Sequence, residues 1–220
     1  MMLPAGLLSP LALWLALPVA VGLLLVAGRQ AGWQALRQHR GAQHFFFGAV
    51  VVLAILWSLQ AGIRPGLHFH LYGLTAATLL MGWRLALLAG ALVQLLLVLS
   101  GKLWWAAAPY QFVLAVAVPV LCSYAFWWQV WQRLPHNPFV YILVAGFLNA
   151  GLAQMAADIA QSLALWGQGI YSLAALWHDF LRYLPLMMFP EGVVNGMFIT
   201  GMVVFHSRWL STFDDESYFR

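Results

Sequence analysis

The sequence predicts an all-α, polytopic transmembrane helical bundle of about seven helices, folded as one integral membrane domain over residues 1–220. Of the 220 residues, 64% are hydrophobic and 7% are charged, and the apolar runs are long enough to cross a bilayer repeatedly. These runs are continuous and rich in leucine and alanine, without the alternating pattern of a membrane β-barrel. Helices satisfy their own backbone hydrogen bonds in lipid, so the sequence favours them.

Seven spans follow from the apolar runs, since each crossing requires about 20 apolar residues. The predicted spans are 8–27, 44–61, 68–82, 84–100, 108–131, 138–165 and 184–207. A shorter helix near 172–183 is expected before the last span. The first run exceeds the roughly 7–15 apolar residues of a signal peptide and lacks a basic leader, so we expect it to be retained.

The cationic residues predict the orientation. The polar segment 28–43 holds three arginines, and the positive-inside rule places it in the cytoplasm as a loop, with the N-terminus outside. Seven crossings bring four more arginines to the cytoplasmic side, where the acidic tail 209–220 also lies: Arg84, Arg133, Arg208 and Arg220. The cations left outside are Arg64, Lys102 and Arg182.

Several functional classes are disfavoured by what the sequence contains. The single cysteine, Cys122, excludes a disulfide framework within the chain and a cysteine-based metal cluster. The sequence has no phosphate-binding loop, no catalytic Ser/His/Asp spacing and no basic aromatic patch. We therefore predict neither enzymatic activity nor nucleic-acid binding, and any ATP-driven role would need other chains.

A His-x-His pair, His68 and His70, follows the turn-forming stretch Arg64-Pro65-Gly66 at the outer mouth of the third predicted span. In an extended or irregular segment both imidazoles can approach one ion. On a regular helix they would point about 200° apart, and one at most would be a ligand. The alternative is an interfacial histidine that bonds a carbonyl or a lipid headgroup.

The N-terminus, MMLPAGLLSP, offers further ligands. Pro4 and Gly6 break a helix and allow the first residues to fold back toward the protein. A free α-amine, with an unperturbed pKa of about 7.7–8.0, is readily deprotonated beside a cation and becomes a nitrogen ligand. Met1 and Met2 add two thioethers. The candidate metal ligands are therefore Met1, Met2, His68 and His70.

Three blocks of the chain resemble a known family. The start resembles the family string MHIPxGxLSP, the stretch from His70-Leu71-Tyr72-Gly73 to Gly82 resembles a second family block, and Pro190-Glu191-Gly192 resembles the closing helix. The family is CbiM/NikM, the substrate-capturing membrane subunit of energy-coupling-factor (ECF) cobalt and nickel transporters. The resemblance implies a multi-pass inner-membrane protein that works with an ECF transmembrane scaffold subunit and ATPase subunits.

The resemblance also implies a ligand set. In the family, the ion is held by the N-terminal amine, a second-residue histidine and the later histidine, and the N-terminal segment, here residues 1–7, plugs into the bundle. The amine corresponds to Met1 and the later histidine to His70, whereas Met2 replaces the second-residue histidine. His68 could restore the lost nitrogen. Nitrogen-rich sites suit Ni(II) or Cu(II), and thioether with imidazole suits Cu(I), so nickel, cobalt or copper remain candidate substrates. No organic cofactor is predicted.

Two other hypotheses about function stay open at this point. A membrane haem or redox protein would take axial pairs among the histidines, although these lie mostly at span ends: His44, His68, His70, His178 and His206. A non-transporting assembly protein with a vestigial site would fit the lost histidine. Asp158 and Glu191 lie within apolar runs and serve either an ion pathway or interhelical bonding. We interpret His178, Asp179 and Arg182 as an interfacial ion-pair group.

Overall fold

The computed structural model describes residues 7–38 and 40–219, and it is a helical bundle with one small hairpin. Six of its helices are long and apolar enough to cross a membrane. In chain order the elements are α1 (Pro10–Gln30), α2 (Trp33–Gln38), α3 (Arg40–Ser58), β1 (Ala61–Arg64), β2 (Leu67–Phe69), α4 (Leu74–Leu99), α5 (Trp105–Arg133), α6 (Pro138–Gly167), α7 (Leu173–Trp209) and α8 (Asp215–Tyr218).

The ends of these helices follow local sequence signals. Ser9 caps α1, where its Oγ accepts a hydrogen bond from the Ala12 N–H at 3.3 Å, and Pro10 occupies the first turn, where no backbone donor is needed. The predicted short helix before the last span is present: α7 begins with a helix to Asp179 and is interrupted near Phe180, whose φ of −137° is not helical. It resumes as a helix over Leu184–His206.

The predicted span 84–100 corresponds to the second arm of α4, whereas the predicted span 68–82 is wrong as a full helical crossing. Residues 68 and 69 belong to a β-strand, and α4 runs from Leu74 to Leu99 with a sharp bend at Gly82 (φ 78°, ψ 161°). The sequence interpretation missed the hairpin because its residues are apolar, and apolarity alone does not separate a strand from a helix end.

The bend at Gly82 reverses the chain. A straight helix of 26 residues would be about 39 Å long, yet His70, just before α4, and Leu97, near its end, line the same small cavity. The two arms of α4 therefore run back along one another. The first arm, residues 74–81, is only about 12 Å long, too short for a hydrocarbon core of about 30 Å. The seven predicted spans thus correspond to six long helices and one short arm.

Two ends of the bundle can be defined by their contacts. We call the end that holds the β-hairpin the hairpin end; it includes residues 59–73, 100–104 and 168–172. We call the other the arginine end; it includes residues 28–38, 40–45, 82–84, 131–137 and 207–218. At the hairpin end the Tyr171 hydroxyl donates to the Pro65 carbonyl at 2.9 Å. At the arginine end the Arg84 Nε donates to Gln30 Oε1 at 3.2 Å.

The distribution of cations between these ends agrees with the predicted grouping. Among the described residues, six arginines that were assigned to one side lie at the arginine end: Arg29, Arg37, Arg40, Arg84, Arg133 and Arg208. Arg64, Lys102 and Arg182 lie at the opposite end. Which end faces the cytoplasm, and the division of the chain into plug, loop and tail, remain predictions.

Candidate metal-binding site

The β-hairpin positions the two histidines. Its strands are antiparallel, with Ala61 opposite Phe69 and Gly62 opposite His68, and Gly66 forms the turn with a φ of 83° that favours glycine. His70 follows directly after β2. Of the two conformations that the sequence left open for the His-x-His pair, the extended segment is present and the regular helix is not.

His70 is buried in the bundle, with 7% of its surface exposed. Its ring lies 5.8 Å from the Trp57 ring and 4.4 Å from the Tyr72 ring, measured between centroids. It faces a cavity of about 10 Å³, large enough for roughly one water-sized occupant. The cavity is lined by Trp57, His70, Gln94, Leu97, Leu103, Gln111 and Ala115.

Burial makes the His70 ring a neutral base. Loss of solvation lowers its pKa to about 3, because the charged imidazolium is disfavoured in an apolar environment. At neutral pH the ring therefore carries a free nitrogen lone pair, which is the form that binds metal ions. Within the described part of the chain, its Nδ1 has no hydrogen-bond partner.

His68 has a different environment. It is half-buried, and burial also lowers its pKa. Its ring packs closely over Gly62, where an added Cβ would lie 3.0 Å from the His68 Cδ2. His68 is not among the residues that line the His70 cavity. The structure thus places His70 in the cavity and His68 beside the hairpin.

The segment that carries His70 is held by a carboxylate from α7. Glu191, 1% exposed, accepts hydrogen bonds from the backbone N–H of Tyr72 (2.9 Å, Oε2) and of Gly73 (2.8 Å, Oε1). Asn195 Nδ2 also donates to Glu191 Oε1, at 2.9 Å, and Asn195 Oδ1 accepts from the Ala76 N–H at 2.8 Å. The backbone N–H groups at the start of a helix have no acceptor within the helix, and here Glu191 and Asn195 supply acceptors for those of α4. A carboxylate is favourable at this position.

Helix α6 supplies further bonds to the same segment. The Tyr72 hydroxyl donates to Asp158 Oδ1 at 3.2 Å, and Gln161 Nε2 donates to the Gly66 carbonyl. Both intramembrane acids, Asp158 and Glu191, therefore contact the residues that position His70. These bonds favour the structural alternative for the two carboxylates, which hold the chain around His70 in place.

Three residues of this region were missed by the sequence reasoning. Trp57 Nε1 donates to the Tyr72 carbonyl at 2.9 Å, and Gln94 and Gln111 line the cavity. The signal that could have identified the glutamines is their position inside apolar runs, where an amide without a partner is costly. Nothing in the local sequence marks Trp57, since the chain has twelve tryptophans.

The remaining predicted candidates lie elsewhere. Of the predicted ion-pair group, His178 Nδ1 lies 2.9 Å from Asp179 Oδ1. The arginine that pairs with Asp179 is Arg64, at 2.6 Å, whereas the Arg182 guanidinium donates to the Tyr183 hydroxyl. His206 stacks on Trp209 at the arginine end. Met1 and Met2 lie outside the described residues. Among residues 7–38 and 40–219, no group of three or more histidine, cysteine, aspartate or glutamate side chains could hold a metal ion.

Comparison with known proteins agrees with this architecture. The family model described as "CbiM: Cobalt uptake substrate-specific transmembrane region" matches residues 3–209. Comparison with curated proteins gives no match.

Two solved structures have a similar fold. One is titled "Crystal Structure of an Truncated Transition metal Transporter"; it has a TM-score of 0.78 at 16% identity, and the match covers 94% of this chain and 99% of that one. The other is titled "Crystal Structure of an transition metal transporter", with a TM-score of 0.78 at 16% identity over 93% of each chain. Since the family match spans nearly the whole sequence, the chain is a multi-pass membrane protein that belongs to the CbiM family of metal uptake proteins.

Proposed function

We propose that this protein captures a transition-metal ion at the hairpin end of its bundle and passes it across the inner membrane as the substrate-binding component of an ECF-type transporter. The observation that carries the proposal is the His70 ring, a buried neutral imidazole that lines an ion-sized cavity in a chain of the CbiM family. The family supports metal uptake; the identity of the ion and of the partner chains belongs to the proposal.

The proposed ligand set combines His70 with the N-terminal amine of Met1, the Met2 side chain and, as a substitute nitrogen, His68. Nickel, cobalt and copper are the candidate substrates. Mg²⁺ and Ca²⁺ are disfavoured because they prefer cages of oxygen ligands, and within the described residues the cavity is lined by no carboxylate. Transport energy would come from partner chains, an ECF scaffold subunit and ATPases, because the sequence contains no phosphate-binding loop.

The proposal is tested by metal binding to protein purified without an N-terminal tag, since a tag would block the α-amine. We expect stoichiometric binding of Ni²⁺, Co²⁺ or Cu⁺ by the wild type. His70→Ala should weaken binding by about 100-fold or more, because even groups that only support a ligand change metal affinity by about 10–100-fold. His68→Ala should cost less. His206→Ala, at the arginine end, is the matched control and should bind like the wild type.

Two results would contradict the proposal. One is a metal content near zero for the untagged wild type, which would indicate a vestigial site. The other is equal loss of binding in His70→Ala and His206→Ala, which would indicate a general effect on folding.

Met2→His tests the residue in which the chain departs from its family. Imidazole is harder than thioether, so the substitution should shift the preference from Cu⁺ toward Ni²⁺ or Co²⁺ if Met2 is a ligand. Competition binding with the two classes of ion measures the shift. Unchanged selectivity would mean that the Met2 side chain does not bind the ion.

The proposed direction of capture has a separate test. A reporter fused after Arg40 should be active only as a cytoplasmic probe, because the arginine end is the one assigned to the cytoplasm by the positive-inside rule. A periplasmic signal at this position would reverse the proposed orientation.

A further inference from the structure

The cavity beside His70 contains a second polar side chain whose hydrogen-bonding capacity is unused. Gln111, in the first turns of α5, is 1% exposed and lines the same cavity as His70. Its Oε1 and its Nε2 are both buried, and neither has a hydrogen-bond partner among the described residues. Its whole carboxamide therefore has no partner in the described part of the chain, beside the proposed ligand.

Such an arrangement is unfavourable unless something binds there. Burying an amide without a hydrogen bond costs roughly 2–7 kcal/mol, depending on the reference medium. Two other buried carboxamides are paired through their Nδ2: Asn149 donates to the Ser123 carbonyl at 3.1 Å, and Asn195 donates to Glu191. Gln154 also has no partner among the described residues, but it does not line the cavity. Gln111 differs from these in facing a cavity rather than a neighbouring helix.

The size and the chemistry of the cavity limit what the occupant is. A volume of about 10 Å³ accommodates a single ion or water molecule, and not an organic molecule. The described lining offers one imidazole and the amides of Gln94 and Gln111, with apolar side chains around them. An amide oxygen accepts a cation, and it is a harder donor than the thioether of a methionine.

We propose that Gln111 is a ligand of the captured ion, with its Oε1 as an oxygen donor beside the His70 nitrogen, and that it favours divalent Co²⁺ or Ni²⁺ over Cu⁺. This inference rests on the proposed function, because it assigns a further residue to the same site. The inference also bears on Met2, whose soft thioether replaces the second-residue histidine of the family. A hard amide oxygen in the cavity would offset that softness.

Gln111→Met tests this role because methionine has nearly the volume of glutamine but replaces the amide oxygen by sulfur. In untagged protein titrated with CoCl₂, the variant should bind Co²⁺ about tenfold or more weakly than the wild type. Its affinity for Cu⁺ should be equal or higher, so that the Cu⁺/Co²⁺ preference rises by about tenfold or more. The visible d–d bands of bound Co²⁺ should shift, since one ligand has changed. Gln111→Glu, which restores an oxygen donor, should recover Co²⁺ binding.

The thermal unfolding of the metal-free protein separates this role from simple packing. Removing an unpaired buried amide should leave the unfolding temperature of Gln111→Met equal to or above that of the wild type. Asn149→Leu is the matched control: it removes a paired carboxamide and should lower the unfolding temperature while Co²⁺ affinity stays unchanged. A Gln111→Met variant with wild-type Co²⁺ affinity, with unshifted d–d bands, or with a loss of stability like that of Asn149→Leu would overturn the inference.

The result can be separated from the test of the proposed function. If His70→Ala abolishes binding and Gln111→Met does not weaken it, the site is correct and the inference about Gln111 is wrong. If His70→Ala has no effect, the proposed site itself is wrong, whatever Gln111→Met does.

Discussion

The two ends of the bundle use polar residues in opposite ways. At the hairpin end, a buried carboxylate is bonded to the backbone: Glu191 accepts from the N–H groups of Tyr72 and Gly73. At the arginine end, Thr212 is buried, but the arginines lie at the surface: the Arg208 side chain, 3.7 Å from Asp215, is 89% exposed. Buried polar groups are costly unless paired, so their concentration at the hairpin end indicates where function resides.

The cavities of the two ends support the same conclusion. A cleft of about 820 Å³ opens at the arginine end and is lined by Arg40, Arg84 and Arg208, with no carboxylate among its described lining residues. Such a cleft repels a metal cation. The cavity beside His70 is about 10 Å³, but it combines a neutral imidazole with two amides. A small cation binds where nitrogen and oxygen donors are available, so the small cavity beside His70 is the better candidate than the larger cleft at the arginine end.

The largest effect that distinguishes the two ends is expected from Glu191→Ala. The substitution leaves the Tyr72 and Gly73 N–H groups without their acceptor, at about 1–3 kcal/mol each, and removes one of the two bonds of Asn195 Nδ2. We expect the free energy of unfolding to fall by about 3 kcal/mol or more and metal affinity to fall with it, as measured by denaturant unfolding in detergent and by Co²⁺ titration. Glu216→Ala, an exposed acid near the C-terminus, is the control. Equal behaviour of the two variants would refute the role of Glu191.

A smaller effect, confined to stability, is expected from Gly82→Ala at the arginine end. The glycine has φ 78° and ψ 161°, a backbone region that is essentially open to glycine alone and costs about 1–3 kcal/mol for other residues. Thermal unfolding should show this loss, while the metal affinity of the folded protein stays at the wild-type value. Gly28→Ala, where the added methyl group meets open space, should not destabilise the protein. A loss of metal affinity in Gly82→Ala would mean that the two ends are coupled.

Tyr72→Phe tests a single bond of the hairpin end. Without the hydroxyl, Asp158 Oδ1 loses its donor, and we expect a destabilisation of about 1–2 kcal/mol in denaturant unfolding. Tyr124→Phe serves as the control, because Tyr124 lies away from the hairpin end, with its ring against Trp83 and Trp127. A Tyr72→Phe protein as stable as the control would show that Asp158 is held by other groups.

The smallest effect is expected at the rim of the hairpin end. The Arg64–Asp179 pair is 2.6 Å long, but the arginine side chain is nearly half exposed, and such pairs contribute about 0–1 kcal/mol. Arg64→Gln should therefore change stability by less than about 1 kcal/mol, and less still at high salt, where the charges are screened. A larger loss would indicate that the rim, and not the buried bonds of Glu191, holds the hairpin.

Much of the fold was predictable from the sequence because lipid imposes a simple rule. A long apolar run must be helical to satisfy its backbone, so α1, α3, α5, α6 and α7 were each predicted near their observed positions. The error at α4 has the same origin: hydropathy reports that residues 68–100 avoid water, but it does not report that residues 68 and 69 pair with residues 61 and 62. Strand pairing is a contact between segments, and a single segment carries only a weak signal for it.

The site was predictable in part. His70 was identified from its motif, and the structure places it in a buried cavity; the ligands proposed at Met1 and Met2 remain predictions. Gln94 and Gln111 were not identified, since they come from two helices that meet His70 only after folding. The sequence left open whether Glu191 serves an ion pathway or bonds between helices. The structural role is favoured by its hydrogen bonds to Tyr72 and Gly73, which lie more than a hundred positions away in the chain.

The sequence by itself determined that this chain is a helical membrane protein of the CbiM type, because composition, apolar length and the motif around His70 are local properties. Only the tertiary structure decided which polar side chains share a cavity. The reversal at Gly82 brings Gln94 back to the cavity beside His70, and α5 adds Gln111 to the same lining. The chemistry of a metal site depends on which donors converge within a few ångströms, and that convergence is set by packing between distant segments of the chain.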